Sequence, residues 1–82
     1  MQFAVYPNPA HDNITLSIDA KEQAAYNIQL TDLSGRRLIS EEHTGTGGLN
    51  TYKMDLSGLA KGVYMISVQS ETESWKAKVA VE

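Results

Sequence analysis

The chain has 82 residues, enough for one domain around a single core and too few for two. At 41% hydrophobic and 21% charged residues it can bury that core and fold as a globular unit. Its ten acidic and seven basic residues are mixed along the chain to a net charge of -3, with no Lys/Arg cluster for nucleic acid, and the absence of cysteine excludes disulfides, thiolate catalysis and Cys-based metal sites. No apolar stretch approaches the ~20 residues that cross a bilayer as a helix, and the opening Met1-Gln2-Phe3-Ala4-Val5 lacks the basic segment and long apolar run of a secretory leader.

The first element expected is a short edge strand over Gln2 to Tyr6, stopped by Pro7 and Pro9, neither of which can donate to a sheet ladder. Asn13 to Ile18 then places Ile14, Leu16 and Ile18 on one side, and Tyr26, Ile28 and Leu30 repeat that period of two after a polar break. Asp32-Leu33-Ser34-Gly35 follows, with Asp at the first turn position and Gly35 where a type I turn ends in a left-handed residue, so a hairpin returns through Arg36 to Ser40 with Leu38 inward. Glu41 to Gly48, with three glycines, two threonines and a histidine, reads as a surface loop. A fifth strand, Leu49 to Leu56, puts Tyr52, Met54 and Leu56 on its inner face.

Asp-Leu-Ser-Gly recurs at Asp55 to Gly58, but seven residues run from Asp55 to Gly62-Val63-Tyr64, too many for a tight hairpin. A short crossover with Leu59 as its apolar anchor, in the form of one helical turn with Asp55 accepting backbone N–H bonds, fits this spacing. The sixth strand carries Tyr64, Ile66 and Val68 inward, and the seventh carries Trp75, Ala77, Val79 and Val81 inward against Lys76 and Lys78. Seven short strands and no helical period give an all-β, seven-stranded antiparallel β-sandwich. Gly62-x-Tyr64 at the head of the sixth strand resembles the tyrosine corner of immunoglobulin-like domains, where the phenol ties down the chain crossing between sheets.

Catalytic chemistry finds little to start from. His11 and His43 stand apart, without metal-ligand spacing or an adjacent nucleophile, and Glu41-Glu42 reads as solvated charge. Asn13-Ile14-Thr15 matches a glycosylation acceptor only as three residues inside a strand. Four of the six aromatic residues fall on inner faces, which leaves too few for a sugar-stacking platform. The residues therefore indicate no enzyme, no cofactor and no small-molecule substrate.

Four segments in order carry a more specific signal. Tyr6-Pro7-Asn8-Pro9, the run around Asp32 and Gly35, Asp55-Leu56-Ser57-Gly58-Leu59 with Gly62-Val63-Tyr64, and the closing strand with Lys76, Lys78, Val79 and Val81 together resemble the type A C-terminal sorting domain of type IX secretion. The resemblance runs from Tyr6 to the chain end, and it departs there, since members often finish on Lys or Arg and this chain finishes on Glu82. It implies that residues 1–82 are a single non-catalytic sorting domain from the C-terminus of a larger secreted protein. It also implies a route from the periplasm across the outer membrane to the cell surface or medium, with three partners: the type IX translocon, an outer-membrane β-barrel shuttle protein and a sortase that removes the domain and attaches the cargo to the surface. The final strand, with its lysines outward, is expected to offer an open backbone edge for strand addition by a partner or by a second copy in a homodimer. A generic immunoglobulin-like spacer or adhesion module is the competing reading; it stays on the mature protein and can sit anywhere in the parent.

Overall fold

The computed structural model describes residues 2–82. Seven strands form, with inner and outer side chains alternating at a period of two except at one break in the fourth: β1 (Gln2–Tyr6), β2 (Asn13–Ala20), β3 (Ala24–Asp32), β4 (Arg37–Gly45), β5 (Gly48–Asp55), β6 (Gly62–Gln69) and β7 (Ser74–Val81). They form a three-stranded sheet in the order β1-β2-β5 and a four-stranded sheet in the order β4-β3-β6-β7, with every named pairing antiparallel. The result is an immunoglobulin-like sandwich, with no helix among the described residues.

The core follows the alternation in the sequence. Ile14, Leu16 and Ile18 of β2 meet Tyr26, Ile28 and Leu30 of β3, Tyr64, Ile66 and Val68 of β6, and Val79 and Val81 of β7, all buried. Met54 and Leu56 seal the end of β5. The two lateral mouths are closed by aromatic pairs. Phe3 on β1 stacks on Trp75 of β7 with ring centroids 5.4 Å apart, and Tyr52 on β5 lies 4.5 Å from the His43 ring on β4.

Two expectations need correction. The segment from Glu41 to Gly45 is not loop; it prolongs β4, pairing Glu41 with Ile28, His43 with Tyr26 and Gly45 with Ala24. A bulge between Leu30 and Thr31 in that pairing turns Leu38 and Ile39 both half-inward, and the inner positions beyond are filled by Glu41 and His43, which bond each other at 2.8 Å. An edge strand tolerates inward polar groups at an open mouth, and they guard the edge against strand addition, so its apolar signature is missing. The second correction concerns the crossover, which forms a turn with Leu59 N donating to Leu56 O at 3.1 Å and no helix.

Candidate functional site

The two Asp-Leu-Ser-Gly segments build different turns from one device, a carboxylate that satisfies turn amides. At the β3–β4 hairpin, Asp32 Oδ1 accepts from the Ser34 amide (3.0 Å), the Ser34 hydroxyl (2.6 Å) and the Arg36 amide (2.9 Å), while Gly35 N donates to Asp32 O. The Ser34 hydroxyl first, and then the Arg36 amide, hold the Asp32 carboxyl below its ordinary range. Arg36 Nε adds a 3.1 Å pair to Oδ2, but its side chain is 75% exposed and contributes little. At the crossover, Asp55 accepts from the Ser57 amide at 2.9 Å and is likewise held low, by that amide first and the Ser57 hydroxyl second. Gly35 and Gly58 close the respective turns at φ +94° and +90°, which a side chain would strain.

Past the crossover, the Tyr64 hydroxyl donates to Ala60 O, four residues back, with the ring buried. This is the tyrosine corner. Gly62 sits at the head of β6 opposite Val81, and Leu56, almost fully buried, plugs the sandwich beneath the turn while its amide donates to Asp12 O at 2.7 Å.

The Tyr6-Pro7-Asn8-Pro9 segment acts at a distance in sequence. Both prolines follow cis peptide bonds. From the end of β1 the chain crosses to the other sheet and lies along the outer edge of β7. There the Asn8 side-chain amide takes the place of a peptide group: Nδ2 donates to Lys78 O and Oδ1 accepts from Ala80 N, both at 3.1 Å. Ala10, fully buried, continues as a parallel bridge, its N donating to Ala80 O at 2.7 Å and its O accepting from Glu82 N at 2.8 Å. His11 Nδ1 lies 3.2 Å from Glu82 O. The edge of β7 expected to be open is thus closed from Lys78 onward, and beyond this strap lie the outward backbone groups of Ser74 and Lys76 and the Lys78 amide. The strap replaces the ladder because its flanking prolines have no N–H while asparagine carries both a donor and an acceptor.

All four motif segments therefore meet at one end of the sandwich: the strap after β1, the β3–β4 turn, the β5–β6 crossover and the end of β7. Tyr6, Pro7, Asn8, Pro9, Asp32, Gly35, Asp55, Leu56, Gly62, Tyr64, Val79 and Val81 lie there. Lys76 and Lys78 stand exposed on the outer face of β7, with Lys78 joining the strap through its carbonyl. Ala10 belongs to the same cluster, and so does Glu82, which the sequence marks only as an acidic ending; both act here through backbone atoms alone.

The comparison with protein families decides what this arrangement belongs to. The model of the secretion system C-terminal sorting domain, the type IX sorting domain, matches residues 4–82. The chain belongs to that family. Type IX sorting domains are secretion signals and not catalysts, and their cargo is bound for the outer membrane, the cell surface or the medium. No curated protein matches the chain significantly. Among the described residues no cluster of His, Asp and Glu could hold a metal ion. His43, between Glu41 and the Tyr52 ring, serves as part of the lateral seal.

Proposed function

We propose that this type IX sorting domain is the export address of a larger protein. The parent reaches the periplasm by its own leader, the translocon recognises the folded domain, a β-barrel shuttle protein carries the cargo, and a sortase removes the domain and fixes the cargo to the surface. The family match over nearly the whole chain carries this reading. It is supported by the convergence of Tyr6-Pro7-Asn8-Pro9, both Asp-Leu-Ser-Gly turns and the closing strand on one end, where a single partner could contact all of them.

The test is a fluorescent reporter with a periplasmic leader, followed by this chain, in hosts with and without the type IX machinery. The reporter is expected at the surface or in the medium only when the machinery is present, and without the domain, as mass spectrometry of the exported product would show. A reporter held in the periplasm of both hosts sinks the sorting reading. Export with the domain still attached refutes the removal step alone.

A further inference from the structure

We infer that the outer face of the β4-β3-β6-β7 sheet is the docking surface of the sorting domain, and that it takes a protein whose contact surface is neutral at the centre, apolar opposite the motif end and edged with carboxylates. This rests on the sorting reading and adds to it which surface is read and by what chemistry.

The strap leaves the backbone edge of β7 with little to offer. Four hydrogen bonds already occupy it from Lys78 to Glu82, and a ladder needs more than the short open stretch around Ser74 and Lys76. Recognition along β7 then rests on side chains, and the outer face presents them in rows fixed by register. Val63 pairs with Ala80, and Leu33 follows Asp32, the partner of Tyr64, so both apolar side chains stand at the motif end. Leu33 is 68% exposed and Val63 43%, both high for apolar side chains. The next row is Arg37, Thr31, Met65 and Lys78, and the one after it Ser40, Gln29, Ser67 and Lys76.

The charge on this face is peripheral. Arg37 stands at one border and Lys76 and Lys78 at the other, while the acidic residues on this side lie toward its two ends: Glu42 and Glu71 beside Asn27 and Gln69 at the far end, and Glu82 past the end of β7. The middle holds neutral Thr31, Gln29, Ser67 and Met65. A neutral centre that holds Met65, apolar Leu33 and Val63 at the motif end and cations at both borders suit a protein partner. On a chain of net charge -3, the cationic rim selects carboxylates opposite it. Four strands about 4.8 Å apart and about eight residues long give a face of about 500 Å². That is below the roughly 800 Å² per partner of a stable complex, so the contact is transient, as an address read once and released requires.

Other occupants fit less well. Anionic lipid calls for clusters of about four to eight cations, more than the three here. A second copy docked motif end to motif end, where the apolar Leu33 and Val63 stand, brings the cationic borders against their own image.

The experiment uses the reporter fusion in the host with the machinery, comparing wild type with Leu33→Ser/Val63→Ser, Lys76→Glu/Lys78→Glu, and Lys53→Glu on the opposite sheet as control. Circular dichroism of each purified variant first confirms a wild-type fold. The expected result is at least a tenfold fall in surface reporter for the two outer-face pairs and none for Lys53→Glu. Wild-type export with both outer-face pairs equally exported overturns this inference and leaves the sorting reading intact; failure of wild type itself removes both. Binding of the purified domain to phosphatidylglycerol vesicles that Lys76→Glu/Lys78→Glu abolishes would overturn the protein partner in favour of lipid. A sedimentation dimer dissociated by Leu33→Ser/Val63→Ser would overturn it in favour of a second copy.

Discussion

Replacing Asn8 by alanine isolates the strap from the rest of the fold. The change removes two hydrogen bonds, to Lys78 O and from Ala80 N, without touching a buried side chain, since Asn8 is exposed. Each such bond contributes about 0.5–1.5 kcal/mol net, and water can reach both freed groups, so the loss should sit near the lower bound for the pair, about 1 kcal/mol. In a domain of this size that lowers the melting temperature by about 4–8 °C. Thermal unfolding by circular dichroism measures the global effect, and amide hydrogen exchange measures the local one. The Ala80 amide donates to Asn8 Oδ1 alone on that edge, so its protection should collapse, and that of Glu82 should fall with it as Ala10 loosens. The amides that pair β3 with β6 should be unaffected. Asn8→Asp sharpens the test: it keeps the acceptor but faces a carboxylate with the Lys78 carbonyl. Its deficit should be full at neutral pH and shrink as the pH falls toward about 4, because protonation restores a donor. An Ala80 amide exchanging at the wild-type rate in Asn8→Ala, with an unmoved melting temperature, would refute the strap.

Three further changes probe the supports of the site. Tyr64→Phe deletes the phenol that holds Ala60 O and should destabilise the domain by about 1 kcal/mol while leaving the ring packed, as measured by urea denaturation. Gly45→Ala sets a methyl 2.8 Å from Tyr52 Oη and 3.0 Å from Tyr26 Cε2, and should cost about 1–3 kcal/mol by overpacking; an unchanged denaturation midpoint would mean the mouth is looser than described. Because Asp32 is held below the value it has in the unfolded chain, its contribution is present at neutral pH and is lost as pH falls below about 4, through its folded value. Asp32→Asn should therefore flatten the acid limb of the stability curve below about pH 4, and an identical acid limb in the variant would contradict the turn assignment.

The fold was legible where burial is one-sided. Ile14-x-Leu16-x-Ile18 and Tyr64-x-Ile66-x-Val68 each have a single arrangement that hides every large side chain, so strand, face and partner sheet follow together. Legibility failed along β4, where a bulge shifts the period after Leu38 and an edge position admits Glu41 and His43 inward. The pattern that marks a strand is then absent although the ladder is present. The hairpin at Asp32 to Gly35 could be read because its chemistry is local. The strap could not, since Asn8 and Ala80 are brought together only by the tertiary fold, and Asn8 bonds peptide groups that every residue carries. An asparagine between two prolines signals an irregular segment but not the strand it will pair with.

That long-range closure changes what deletion of the chain end can tell. Removing Lys78 to Glu82 takes away not only outward groups but Val79, fully buried, and Val81, 5% exposed, together with every backbone partner of the strap. Burial of two valines stabilises by about 3–6 kcal/mol at about 1.5–3 kcal/mol each. A domain of this length has only about 4–12 kcal/mol in total. The truncated chain is therefore expected to lose its β-sheet circular dichroism, and loss of export in such a truncation would report unfolding before it reported a missing address. Retention of a cooperative thermal transition by the truncated domain would refute this. The same coupling gives the address a physical safeguard. Its segments lie at opposite ends of the sequence and meet only when β7 has docked on β6 and the strap has closed over it, so a partner that reads this end engages folded domains and passes over unfolded ones.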